Sequence, residues 1–166
     1  MSDIVEAPPV HRPIGCLLPG RFLLAHRPDA FQGNDDVYTF DDLKRAFPTV
    51  GGVLDLQRGP RRWYDKNILY KRIVLPGGPE AAPSKRKLWQ CLRFIDAFER
   101  EHPSKLLYVH CRHGINRTGL VCALHLKRKG VENPLGVFLR QRGAAEVRPH
   151  IRSLIRAFDV FYHPMK

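Results

Sequence analysis

Cys111 and Arg117 are the side chains whose types and spacing most directly suggest chemistry, with Arg112, His113, Gly114, Ile115 and Asn116 between them and Thr118-Gly119 behind. A cysteine and an arginine at this distance can stand at the two ends of a loop that closes on a tetrahedral oxyanion. The intervening residues let the backbone curl so that several N–H groups point inward. A helix starting at the loop's exit adds the partial positive charge of its N-terminus at the same point. Gly114 suits a turn where φ is positive. Arg117 carries a planar fork that can grip two phosphoryl oxygens. The same field favours the thiolate of Cys111, the nucleophilic form of that side chain. The spacing also admits two plainer readings: a buried cysteine in a strand-to-helix turn, or a loop that binds phosphate without reacting.

For that loop to work, a strand must deliver Cys111 and a helix must leave after Arg117. The apolar run over 105–109 predicts the strand, and 118–129 predicts the helix, with Val121, Leu124 and Cys122 facing inward and Gly130 as its stop. Upstream, 14–18 and 21–25 read as short strands around Pro19-Gly20. Thr39 and Asp42 resemble a capping box, with a helix running to about Phe47. Gly51–Leu56 reads as a buried strand and 67–75 as another. The Pro- and Gly-rich stretch 76–83 is irregular. Ser84 caps a helix that shows Leu88, Cys91, Leu92, Ile95 and Phe98 at helical spacing and ends before Pro103. Further helices are predicted over 134–142 and 150–162, the last with Ile151, Leu154, Ile155 and Phe158 on one face, and 144–147 links the two. Strands and helices alternate, and the reactive loop lies at a strand's C-terminal end. The expectation is an α/β fold with a mostly parallel central sheet.

Composition narrows the classes. A chain of 166 residues with 43% apolar content predicts one domain over 13–166, preceded by a loose arm over 1–12. Cys16, Cys91, Cys111 and Cys122 show no Cys-x-x-Cys pair, so no zinc or other metal is expected. No signal-like start and no apolar run of about 18 residues is found, so neither secretion nor a membrane is expected. A reducing, intracellular compartment suits a free nucleophilic thiol. Twenty-eight Lys and Arg against 16 acids give a net charge of +12, which favours polyanionic partners such as nucleic acid, polyphosphate or acidic lipid over generic solubility charge. Arg58, Arg61, Arg62, Trp63, Tyr64 and Lys66 interleave cations with rings. That pattern suits single-stranded nucleic acid, whose bases stack on rings, and it equally suits rings packed under a loop of solvated arginines.

These residues carry a resemblance. His110-Cys111-x-His113-Gly114-x-Asn116-Arg117-Thr118-Gly119 is similar to the phosphate loop of the cysteine-phosphatase superfamily. It is more similar still to its RNA 5′-triphosphatases: capping-enzyme triphosphatase domains, the baculovirus RNA phosphatase and the atypical dual-specificity RNA phosphatase. Leu18-Pro19-Gly20-x-Phe22, Val50–Leu56, Arg62-Trp63-Tyr64-Asp65, Leu69-Tyr70-Lys71, and Arg140-x-Arg142-Gly143 with Glu146-x-Arg148 resemble further segments of that family, over roughly 12–160. Arg112 departs from it, standing where a Thr is usual; it can add a phosphate contact or point to solvent.

The resemblance implies a cysteine-phosphatase fold, no cofactor, and a cysteinyl-phosphate formed on Cys111. Arg112 to Arg117 bind phosphate in this scheme, and Arg148 grips a phosphate beyond the one attacked. Thr118 bonds the Cys111 sulfur, and His110 orients the cysteine, unless it is a packed strand histidine. Asp55 supports the loop from beneath. Arg61, Arg62, Trp63 and Tyr64 are candidate RNA contacts. The partner implied is an RNA 5′ triphosphate or diphosphate end, with a guanylyltransferase on another polypeptide, a monomeric state, and a nuclear or cytoplasmic location. The general acid separates this reading from others. Protein-phosphatase relatives place an Asp in the loop corresponding to 76–83, where only Glu80 is acidic here. Pyrophosphate leaves without protonation, which favours a phosphoanhydride substrate. Glu80 keeps a dual-specificity protein phosphatase open, and the basic loop keeps a phosphoinositide or polyphosphate phosphatase and a non-catalytic capture module open.

Overall fold

The computed structural model describes residues 16–18, 22–25, 40–59, 65–79, 81–112, 114–142 and 146–161. In chain order the elements are β1 (Cys16–Leu18), β2 (Phe22–Ala25), α1 (Phe40–Ala46), β3 (Val50–Asp55), β4 (Leu69–Arg72), α2 (Lys85–Glu101), β5 (Leu106–His110), α3 (Asn116–Arg128), α4 (Pro134–Arg142) and α5 (Pro149–Ala157). The expected arm over 1–12 and the proposed capping residue Thr39 lie outside the described residues.

The strands form a five-stranded sheet in the order β1-β2-β5-β3-β4. β2, β5, β3 and β4 run parallel, and β1 closes one edge antiparallel to β2. The connections through α1 and α2 run in opposite directions along this order. With the usual right-handed sense, that places the two helices on opposite faces. The core agrees: Leu107 and Val109 of β5 join the large cluster with Leu88, Leu92 and Ile95 of α2, while Tyr108 between them joins Leu43, Val50, Val53 and Ile68 on the α1 face. β5 is central and buried on both sides, so its C-terminal end opens in the middle of the sheet's edge, where such sheets receive ligands.

Two helices depart from the expectation. α3 buries the expected Val121, Cys122 and Leu124 and, beyond them, every other residue from Thr118 to Leu126. This helix packs against the sheet, α2, α4 and α5 at once, and a helix enclosed all round has no polar face to show. α5 ends at Ala157, five residues short of the expected 162. Lys127 Nζ from α3 donates to the carbonyls of Ile155, Arg156 and Phe158 at 3.0, 3.2 and 2.9 Å. It thereby satisfies groups that a longer helix would have bonded internally. Elsewhere the agreement is close. Ser84 caps α2 by accepting from the Lys87 N–H at 3.3 Å, and α4 spans the expected residues. β4 is shorter than 67–75, yet the N–H groups of Ile73 and Leu75 still donate to Asp55 and Leu56, so the chain tracks β3 beyond the strand.

Candidate active site

The loop from Cys111 to Asn116 joins the end of β5 to the first turn of α3. Gly114 stands at φ +64°, the left-handed conformation for which glycine was expected. Its carbonyl accepts from Arg142 Nε, on α4, at 3.2 Å; Arg142 is buried. Cys111 is 3% exposed at the bottom of the loop, and the Thr118 hydroxyl, wholly buried, bonds its Sγ at 3.1 Å. The sulfur therefore faces the N-terminal turn of α3, whose N–H groups carry partial positive charge.

Arg117 is fixed by the ends of two strands. Its Nη1 donates to Leu56 O at 3.3 Å and Leu75 O at 3.4 Å. Gly77 lies against the guanidinium: a Cβ there would stand 2.9 Å from Arg117 Cζ, closer than atoms tolerate. Asn116 Oδ1 accepts from the backbone N–H of Arg148 at 2.8 Å, tying the start of α5 to the loop. Arg148 then reaches across to donate from Nη1 to Gly78 O at 2.7 Å. Cys111, Arg112, Asn116, Arg117, Arg148 and Gly78 line one cavity of about 130 Å³. A wider cleft of about 580 Å³ adjoins it along Arg112 and Arg117 and carries Gln57 and Arg58 on its other side.

His110 and Asp55, expected to support the loop, are not among the residues that line either cavity. His110 is 2% exposed, stacks on Tyr108 with ring centroids 5.1 Å apart, and brings Nε2 to 3.8 Å from Asp55 Oδ1. It thus faces the α1 side of β5 and reaches Cys111 through the backbone. Asp55 accepts from the Gln57 N–H at 3.0 Å, from Tyr70 Oη at 2.5 Å and from Arg72 Nε and Nη2 at 2.9 and 2.8 Å. Burial pushes the Tyr70 phenol well up, and the Asp55 carboxylate pushes it further, so the phenol remains a donor. Among other thiols, burial pushes Cys91 up to about 12, which makes it a packing residue.

The structure therefore brings together Cys111, Arg112, Gly114, Ile115, Asn116, Arg117, Thr118 and Arg148, while His110 and Asp55 form a neighbouring network. His113, Arg61, Arg62, Trp63, Tyr64 and Glu80 lie outside the described residues. Sequence reasoning left Gly77, Gly78, Arg142 and His150 out of the site, and it named Arg58 only within the basic, aromatic loop whose pattern suits nucleic acid. Gly77-Gly78 carried a signal, since adjacent glycines between two predicted elements can mark close backbone approach. The pairing of Arg142 with Gly114 carried none in the spacing.

No protein-family model matches the chain. It is 30% identical over 129 residues to the tyrosine-protein phosphatase of Autographa californica nuclear polyhedrosis virus, covering 70% of this chain and 75% of that protein. It is 24% identical over 120 residues to the mRNA-capping enzyme of Caenorhabditis elegans, covering 66% of this chain but 19% of that protein. The crystal structure of human DUSP28 superposes with a TM-score of 0.66 at 19% identity, over 86% of this chain and 92% of that one, which establishes the fold. A thiol seated in a Cys-x5-Arg loop under α3, together with the extent of the viral match, shows that this chain belongs to the tyrosine-protein-phosphatase family and is a cysteine-dependent phosphatase.

Proposed function

We propose that this phosphatase acts on RNA 5′ ends, removing the γ-phosphate of a 5′-triphosphate through a cysteinyl-phosphate. The observation that carries the reading is the charge of the mouth. The charged side chains that line the two cavities, among the described residues, are all basic: Arg58, Arg112, Arg117, Arg148 and the titratable His150. None of the ion pairs among the described residues engages those four arginines. A triphosphate end brings several charges to such a mouth, whereas a phosphotyrosine brings one phosphate on an apolar ring. The relative named as an mRNA-capping enzyme supports the same substrate class, and with it a nuclear place of action beside a separate guanylyltransferase.

In this reading the Cys111 thiolate attacks the γ-phosphorus in line. The bond from phosphorus to the β,γ-bridging oxygen breaks, and RNA diphosphate leaves with the electron pair. Its conjugate acid is far more acidic than an alcohol, so no general acid is required. Loop N–H groups and Arg117 hold the equatorial oxygens as charge builds there. Arg148 and Arg112 meet the phosphates beyond. Water then attacks the cysteinyl-phosphate, the S–P bond breaks, orthophosphate is released and the thiolate is restored. The Thr118 hydroxyl, already bonded to Sγ, stabilises the sulfur as it leaves. The cations of the loop supply the charge that a divalent metal supplies in other phosphoryl transfers, so the reaction proceeds in EDTA.

The test is phosphate release from γ-³²P- and β-³²P-labelled triphosphate RNA in EDTA, beside a phosphotyrosine peptide at equal concentration. Rapid γ release that Cys111→Ser abolishes is the expected result; β release reports whether hydrolysis continues to monophosphate. Inert RNA beside a hydrolysed peptide would replace this reading with a dual-specificity protein phosphatase, the reading favoured by the names of the viral relative and of the solved human structure.

A further inference from the structure

Two cavities open from the phosphate loop, and they differ in what they can hold. The one containing Cys111, about 130 Å³, is bridged by the Arg148 contact to Gly78 O at 2.7 Å. The other is about 580 Å³. Sites that enclose a whole small molecule run from about 300 to 1,000 Å³. The narrow cavity therefore has room for phosphoryl groups and not for a nucleoside, while the wide one can seat a nucleoside. Arg112, Arg117 and the 76–78 stretch form the wall that both share.

The far wall of the wide cleft is built, not loose. Arg72 donates from Nη1 to Gly59 O at 2.6 Å while its Nε and Nη2 hold Asp55. Asp55 in turn accepts from the Gln57 N–H, and it is itself 2% exposed. Arg58 thus projects from a turn anchored on either side of it, and its side chain is exposed. An anchored, exposed arginine in the same cleft as Arg112 and Arg117 can meet an anion that lies beyond the terminal phosphates and the first nucleoside.

We propose that the wide cleft seats the 5′-terminal nucleoside of the RNA, with Arg58 taking the first internucleotide phosphate and Arg112, on the shared wall, facing the phosphates between. The inference rests on the RNA reading above and gives it a direction: the strand leaves toward the β3–β4 side of the mouth, away from α5. Arg58 is then the residue that separates an RNA end from a bare polyphosphate.

Steady-state kinetics on triphosphate-ended RNA and on inorganic tripolyphosphate test this with the full chain and its Arg58→Ala, Arg58→Lys and His150→Ala variants. Arg58→Ala should raise KM for the RNA about tenfold, the loss of one charged contact, and lower the preference for RNA over tripolyphosphate by a similar factor. Arg58→Lys should recover most of that preference. His150 lines the narrow cavity on the α5 side, so His150→Ala should affect both substrates in the same proportion. The inference is overturned if Arg58→Ala leaves the preference unchanged, or if His150→Ala is the variant that erodes it. A wild-type protein that hydrolyses tripolyphosphate or a phosphotyrosine peptide but not the RNA would remove the RNA reading and this inference together. An RNA-active wild type with an unselective Arg58→Ala would remove the inference alone.

Discussion

Among the described residues, Thr118 makes the side-chain hydrogen bond to the reactive sulfur, at 3.1 Å and wholly buried. A buried hydroxyl on a thiolate is a charge-assisted hydrogen bond, and such bonds contribute roughly 1.5–3 kcal/mol. The contribution matters most when sulfur carries its charge as a leaving group, in the second step. Thr118→Val removes the hydroxyl at nearly constant shape. It should lower kcat by about 10- to 100-fold, with KM falling alongside it so that kcat/KM holds, and the phosphorylated protein should accumulate in rapid-quench experiments with γ-³²P substrate. A rise in KM with unchanged kcat would instead assign Thr118 to substrate binding. Gly77 acts at the same scale by absence: it leaves room for the guanidinium of Arg117, which a methyl group would push out of the plane set by Leu56 O and Leu75 O.

At the scale of elements, the seam between α2 and α3 joins two helices through charges. Arg128 Nη1 meets Asp96 Oδ2 at 2.7 Å, and Lys129 Nζ meets Glu99 Oε2 at 2.9 Å. The basic run 127–129 is therefore spent on internal contacts, since Lys127 also closes the end of α5. His125 is enclosed between these groups, with Glu99 Oε1 at 3.3 Å and Asp96 Oδ1 at 3.9 Å. Burial, seconded by the Lys129 charge, pushes its imidazole down from the ordinary 6.5 to about 4, against the opposing pull of Asp96. The unfolded chain thus binds a proton that the folded one refuses. Stability is full above about 6.5 and falls as pH drops toward 4. The loss should reach about 2 kcal/mol by pH 5, read as a lower urea midpoint with unchanged slope. His125→Gln should flatten the curve between pH 6.5 and 5, a window in which ordinary carboxylates titrate little. An unchanged curve in that variant would locate the titrating group elsewhere.

The whole molecule shows why some of the site was legible in the sequence and some was not. Cys111 to Thr118 is one local loop between a strand and a helix, so residue spacing reports it directly. Arg142 meets Gly114 across 28 residues, and Arg148 meets Gly78 across 70. Such contacts depend on how α4 and α5 dock on α3, and no local period encodes that. The parallel sheet was legible because apolar runs alternate with helical patterns. The burial of α3 was not, because three neighbouring helices and the sheet enclose it. Charge distribution is the property of the whole chain that bears on substrate. The acids Asp55, Asp65, Asp96 and Glu99 are paired within the fold, while Arg58, Arg112, Arg117 and Arg148 face the cavities. Each phosphate these arginines neutralise releases counterions from a single strand, with a slope of about −0.7 in log binding against log salt. With all four engaged, kcat/KM for triphosphate-ended RNA should fall roughly 50-fold between 50 and 200 mM salt. The fall should appear in KM while kcat holds, because screening weakens encounter and binding more than the chemistry inside the loop. A flat profile would mean that the mouth's positive charge does not act on the RNA, and the substrate would then have to be recognised by its terminal phosphate alone.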